Sequence, residues 1–293
     1  MAKVKITQLF VYPVKSLAGI AVDHWPATPT GLKHDRQFML VDDKQRFVTQ
    51  RQEHRMALIQ TSLHQHETLT TLELNHQGQA PQRLTLDNAT LTPNSGQIFT
   101  AKIWSDEVQV FEPCRATSAW LTSALDKHVR LVALVTQRPQ SQPDRFGANG
   151  HTIFADAAPY LIANQTSLEA LNTELLAQSL SAVDMRRFRP NIVVQGELPA
   201  FSEHRFSRLK NEHNPEQQFS LVDHCQRCVM TTVDPDKGTR DAQLEPFNTL
   251  CRINPMPATE PARRKAAPAF AVNALLESKT VEILSTEDHW HID

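Results

Sequence analysis

Short apolar runs broken by turn residues constrain this chain more than any other feature. The first holds Val4, Ile6 and Phe10–Val11 and stops at Tyr12–Pro13. Others follow at Gly19–Val22, Gln37–Val41, Arg46–Thr49, Met56–Ile59, Leu69–Leu74, Leu84–Leu86, Ile98–Trp104 and Val108–Phe111. Many short strands without long helical stretches between them predict a barrel or sandwich rather than a βαβ unit. Gln37–Val41 and Arg46–Thr49, joined across Asp42–Asp43, predict a hairpin.

The pattern changes after Pro113. Trp120, Leu121, Ala124, Leu125 and His128 recur at helical spacing, with Thr117 or Ser118 placed to cap the helix. Arg130–Val135 reads as a strand, and Gln137–Gly150 as a loop able to cover a site. Tyr160–Ala163 is a strand. Thr166 and Glu169 form a capping box ahead of Leu168, Leu171 and Leu175 on one helix face. Asn191–Val194 is a strand, Asn211–Gln218 a polar loop, Pro255–Pro268 an irregular surface segment and Lys279–Leu284 a closing strand. The domain boundary falls near Glu112–Pro113, giving units 1–112 and 113–293. The expected class is mainly β with a few helices (α+β).

Composition narrows the function. With 40% hydrophobic residues among 293, the chain can bury a sizeable core. Lys plus Arg numbers 30 against 32 for Asp plus Glu, a formal charge of −2 that offers no excess for a phosphate backbone. Nucleic acid is not expected as a partner. No apolar run reaches the ~18 residues of a membrane span, so no membrane association is expected. The N-terminus lacks the apolar block of a signal peptide, and the chain's four cysteines fit a reducing cytosol. A cytoplasmic protein is the expectation. Neither a GxGxxG nor a Walker loop is present. The histidines are scattered.

Chemistry concentrates in His224-Cys225-Gln226-Arg227-Cys228-Val229-Met230-Thr231-Thr232-Val233-Asp234-Pro235-Asp236-Lys237-Gly238. Zinc would need four ligands, and the remaining cysteines, Cys114 and Cys251, are unpaired. An iron–sulfur cluster wants four thiolates as well. A thioredoxin-like pair would open a helix, whereas Val229–Val233 has a strand pattern. Two readings stay open: buried core cysteines, or one metal-bound thiolate whose other ligands come from a cofactor. Three segments offer anion-binding groups. Lys15-Ser16 follows the first strand, Arg36 precedes a buried strand, and Arg186-Arg187-Phe188-Arg189-Pro190-Asn191 sets three arginines before another. Each alone reads as an ordinary turn or solvated charge; together they form a pattern.

Tyr12-Pro13-Val14-Lys15-Ser16, Phe188-Arg189-Pro190-Asn191 and the run from Cys225 to Gly238 resemble the MOSC-domain proteins. These include the mitochondrial amidoxime-reducing proteins and bacterial reductases of N-hydroxylated bases. The resemblance runs from the first strand to near the C-terminus. It implies an N-terminal β-barrel domain followed by a MOSC β-barrel domain, and a molybdenum cofactor (Mo-molybdopterin). It implies Cys228 as the metal-binding, catalytic thiolate, aided by the cofactor's charge and by Arg227. Lys15, Ser16, Arg36, Asp156, Arg189 and Asn191 match family positions that contact the cofactor. Ala157–Ala158 stand where mitochondrial members have Thr-Ser, leaving only backbone groups there. Cys225 is read as structural or neighbouring, and the Asp234–Asp236 turn as structural. The implied activity is reduction of N-hydroxylated compounds: amidoximes, hydroxylamines and N-hydroxylated bases. The chain ends at Asp293 without a ferredoxin-like cysteine cluster, so electrons are expected from a separate donor, a flavin reductase or a ferredoxin-like protein. The alternatives are a non-catalytic carrier of molybdenum cofactor or sulfur, and a non-catalytic β protein with core cysteines.

Overall fold

The computed structural model describes residues 2–93, 98–136, 138, 142–147, 151–256, 267–278 and 280–293. Strands dominate, as the sequence predicts, and the largest sheet closes on itself. Around it run Ile192–Gly196, Tyr160–Asn164, Ala269–Leu276, Gln218–Gln226, Arg208–Asn211, His289–Ile292 and Ala2–Val11, which pairs back onto Ile192–Gly196. The first strand therefore closes a barrel made with strands from the second half of the chain. All neighbours are antiparallel except Tyr160–Asn164 beside Ile192–Gly196. A parallel pair needs a crossover, and the helix Gln165–Ala177 supplies it.

Alternation along the first strand explains how one segment serves two cores. Val4 and Ile6 pack inside the barrel with Trp290, Phe219 and Ile292. A register shift between Ile6 and Gln8 resets the period, so Leu9 and Val11 also turn inward. Phe10 then faces outward, against Leu168, Leu171 and Leu175 of the crossover helix. The helix face expected from sequence is thus the buried one. Smaller sheets pack around cores of their own: Met39–Val41, Arg130–Leu134, Asp106–Phe111 and Phe99–Ile103 form one, and Gln60–His66, Leu69–Asn75 and Gln82–Thr85 another.

Several local expectations are corrected. The crossover helix begins at Gln165, and its cap is Asn164, whose side chain accepts from the Thr166 N–H at 3.1 Å. The strand runs straight into the helix, so its last residue becomes the cap, a bond worth about 1 kcal/mol. The helix Arg115–Leu125 starts before Thr117 and Ser118, which are buried. Their hydroxyls accept from Gln82 Nε2 at 3.1 Å and from the Leu131 N–H at 3.0 Å, so tertiary partners take what a cap would have used. His128 lies beyond that helix, exposed beside Asp43. Met56–Ile59 is mostly a 3-10 turn, His54–Leu58, because a four-residue apolar run has too little length to fix a period. Arg46–Thr49 folds back on Met39–Val41 through the Val41–Phe47 bridge, without becoming a regular strand. Half of Gln137–Gly150, most of Pro255–Pro268, and Lys279 lie outside the described residues; Pro143–Phe146 is one helical turn.

Candidate functional site

Strand registers put the motif residues at one end of the barrel. Leu9 pairs with Ile192, Ile192 with Ile162, Ile162 with Val272, and Gln226 with Ala269. Lys15 and Ser16 follow the first strand, Asp156 precedes Tyr160, Arg189 and Asn191 precede Ile192, and Cys225–Cys228 end Gln218–Gln226. These ends surround a cavity of about 560 Å³ that Lys15, Ser16, Arg36, Asp156, Arg189, Asn191 and Cys228 all line.

Backbone geometry aims three of them. Ser16, Arg36 and Arg189 have φ of 67°, 45° and 55°, a left-handed conformation that side chains with a Cβ adopt at a cost of about 1–3 kcal/mol each. The surrounding contacts hold it. The Arg36 and Arg189 guanidiniums lie 4.3 and 4.2 Å from the centre of the Tyr12 ring. Arg36 bonds Asp35 Oδ2 at 2.5 Å and the Arg189 carbonyl at 3.1 Å. Arg189 donates to the Leu17 carbonyl at 2.7 Å. Gly19 approaches so closely that a Cβ there would sit 2.3 Å from Tyr12 Cε1. Burial, with Arg36 nearby, lowers Arg189 to about 10, so it remains a cation in neutral water.

Lys15 is buried and donates to the Phe154 carbonyl at 2.7 Å and to Asp156. Burial lowers its pKa, against the pull of Asp156. Asp156 lines the cavity with 47% of its side chain exposed, and it also accepts from Trp104 Nε1 at 3.0 Å. Burial alone would raise its pKa, but the Lys15 ammonium and these bonds bring it down to about 2. A carboxyl depressed in the fold stabilises it above the unfolded pKa of about 4 and loses that contribution as pH falls through the folded value. The Asp156→Asn chain is therefore expected to be less stable than the parent at neutral pH. Its deficit should close between about pH 4 and 2 in urea-midpoint measurements.

Asn191 spends its amide on the sheet, donating to the Phe10 carbonyl at 3.3 Å and accepting from the Leu161 N–H at 3.3 Å. Ala157 and Ala158 line the cavity, and neither N–H bonds another described residue. Cys225 lies on the strand, but Val229–Thr232 is a 3-10 turn, not the strand its β-branched residues predict. Thr231 Oγ1 bonds the Cys228 carbonyl at 3.1 Å and Thr232 Oγ1 the Val229 carbonyl at 2.7 Å. Both hydroxyls thus satisfy the turn that Cys228 opens. Arg227 was expected beside Cys228. Instead its guanidinium takes Cys225 Sγ at 2.9 Å and the Phe188 carbonyl at 2.6 Å.

The cation at Cys228 is Arg51, whose Nη1 is 3.9 Å from Sγ. Sequence reasoning missed it, because Gln50-Arg51-Gln52 carries no motif and no period. It also missed Arg145, bound to Asp223 at 2.6 Å, and Asn273, which donates to the same carboxylate at 2.8 Å. All three line the cavity. Asp234 and Asp236 do not. Asp234 accepts from the N–H groups of Asp236 and Lys237 and from Arg187, and Asp236 binds Arg186. This ties the acidic turn to the arginine segment. Gly238 closes it at φ 59°, with Leu58 only 2.7 Å from where a Cβ would be.

The donor set fits an anionic cofactor with one protein thiolate. Among the described residues Arg189 Nη2 and Arg227 Nε are buried with no acceptor, each an expensive omission unless a ligand supplies one. All four cysteines are free, and among the described residues no three His, Cys, Asp or Glu side chains gather as a metal-binding group. Among the described residues, no helix is long and apolar enough to cross a membrane.

A model described as the MOSC N-terminal beta barrel domain matches residues 3–128, and one described as the MOSC domain matches residues 106–258. Human mitochondrial amidoxime-reducing component 1 is 29% identical over 282 residues, covering 93% of this chain and 79% of its own. The Danio rerio mitochondrial amidoxime-reducing component 1 is 30% identical, covering 87% and 77%. The Danio rerio molybdenum cofactor sulfurase is 28% identical, covering 92% of this chain and 34% of its own. A crystal structure of the Bacillus subtilis YUAD protein aligns over 98% of this chain at a TM-score of 0.38 and 9% identity, too weak a likeness to build on.

Proposed function

The chain belongs to the MOSC family, and from that premise we propose that it binds molybdenum cofactor in the barrel-end cavity and reduces N-hydroxylated compounds. One observation carries the reading. Lys15, Arg36, Arg189 and Cys228, distant in sequence, meet on one cavity that also holds buried donors without acceptors. Similarity to proteins named amidoxime-reducing components supports the substrate class.

In this reading Cys228 is the one protein thiolate on the metal. Soft sulfur suits it, and the 3-10 turn holds its backbone. Arg189 directs its spare Nη2 to an anionic group of the cofactor, and Arg36 braces Arg189 through its carbonyl. Ser16, Asn191 and the N–H groups of Ala157 and Ala158 complete the wall. Lys15 is held by Asp156, so the pair sets the wall's charge. The bound cofactor supplies the two-electron redox chemistry. The balanced conversion of a hydroxylamine is R–NHOH + 2 e⁻ + 2 H⁺ → R–NH₂ + H₂O. The electrons come from a separate flavin or ferredoxin-like protein. Four free cysteines fit a reducing compartment such as the cytosol.

The test loads the chain with cofactor in a competent host, adds a flavin reductase and follows conversion of benzamidoxime to benzamidine. Turnover that depends on molybdenum content is expected. Bound molybdenum and pterin without turnover would favour the cofactor or sulfur carrier. Absence of both from the purified protein would remove either role.

A further inference from the structure

Six cations line the cavity, and the protein's own acceptors occupy most of them. Lys15 is used by Phe154 and Asp156, Arg36 by Asp35 and the Arg189 carbonyl, and Arg145 by Asp223. Arg227 is used by Cys225 and the Phe188 carbonyl. Among the described residues Arg189 and Arg227 each keep one donor without an acceptor, Nη2 and Nε, but Arg189 sits at the Tyr12 end and Arg227 is turned to Cys225 and Phe188. Arg51 differs from all of them. Among the described residues no oxygen accepts a bond from it, and its sole polar contact is Cys228 Sγ at 3.9 Å.

Aromatic faces hold Arg51, and the Asp156 carboxylate acts on it through charge alone, without a hydrogen bond. Its guanidinium carbon is 4.2 Å from the Trp104 ring centre and 5.7 Å from that of Phe47. Those two rings are 5.1 Å apart, and the Trp104 indole is itself tied to Asp156 by its 3.0 Å bond. Stacking fixes a guanidinium's plane while leaving its N–H edge free, which a lysine ammonium cannot reproduce. The result is a preorganised fork of donors beside the cavity thiol.

We propose that Arg51 is the substrate-recognition residue of this site, its free N–H groups receiving the hydroxyl oxygen of the N-hydroxylated substrate. The inference rests on the function proposed above and deepens it. The N–OH oxygen is the acceptor that the substrate has and the reduced product lacks. An amidoxime is also neutral in neutral water, whereas its amidine product is a cation that Arg51 repels. One residue therefore favours substrate and expels product. A hydrogen bond to a charged donor is worth a factor of about 10 to 100 in affinity.

Equilibrium dialysis on the cofactor-loaded chain without electron donor, so that nothing turns over, tests this with benzamidoxime and benzamidine. Molybdenum and pterin content are measured on the same samples. The parent should bind benzamidoxime the more tightly. Arg51→Met should weaken benzamidoxime by about 10- to 100-fold, leave benzamidine unchanged or tighter, and keep parental cofactor content. Arg51→Lys, which retains the charge without the fork, should fall between; if the methionine chain does not fold, this variant carries the comparison. Unchanged benzamidoxime affinity, equal loss of both compounds, or loss of cofactor from the variant would each overturn the assignment while leaving the function standing. A loaded parent that binds neither compound would overturn both.

Discussion

Cys228→Ser is expected to strip the purified chain of molybdenum and lower benzamidoxime turnover at least about 100-fold, beyond the 10- to 100-fold typical of losing a group that only supports a metal ligand. The substitution is a clean one for the fold. Cys228 opens the 3-10 turn Val229–Thr232, a position where serine is favoured, and the turn is closed by the Cys228 carbonyl rather than by Sγ. On the proposed reading, what changes is the ligand: a hydroxyl would replace a soft thiolate on a metal that prefers sulfur. Cys225→Ser is the comparison. Its sulfur meets Arg227 instead of Arg51, so it should retain molybdenum and lose turnover less than tenfold, about the cost of one weakened charged bond. Metal analysis and steady-state rates on both variants decide it. Undiminished turnover in Cys228→Ser would remove the metal-ligand assignment.

Arg189→Gln is expected to weaken cofactor binding by about 10- to 100-fold, the value of one charge-assisted bond to an anionic group. The cofactor-free protein should fold as before. Nη2 of Arg189 has no acceptor among the described residues, and burial already lowers the guanidinium's pKa, so removing the charge relieves a cost as well as the bond to Leu17. The readout is the rise in melting temperature on cofactor loading, large for the parent and small for the variant, together with pterin retained after gel filtration. Equal retention by both chains would show that the spare donor serves something other than the cofactor.

Residue type and order carried much of the site. Lys15, Ser16, Arg36, Arg189, Asn191 and Cys228 could be named because they sit in short motifs, Asp156 only through the family resemblance, and all seven line one cavity. Arg51 could not. Its importance lies in the face of Trp104 and the sulfur of Cys228, each far along the chain. Arg227 shows the converse. Adjacent in sequence to Cys228, it nevertheless turns to Cys225 and Phe188, because sequence neighbours need not share a direction. The threonines after Cys228 have strand propensity, yet their hydroxyls close a turn on backbone carbonyls, a local bond that competes with the ladder.

The sequence by itself determined the mainly β class, most of the strands and the apolar face of the Gln165–Ala177 helix, and it singled out the Cys225–Cys228 segment that lines the cavity. Those follow from periodicity and side-chain chemistry, which act over a few residues. Only the tertiary structure decided that the first strand closes a barrel with the last strands. It alone placed the parallel crossover, chose Asn164 over Thr166 as the cap and brought Arg51 to Cys228. Each of those depends on which distant backbone edge or side chain supplies the missing hydrogen-bond partner or apolar face, and packing settles that choice after local preference has had its say.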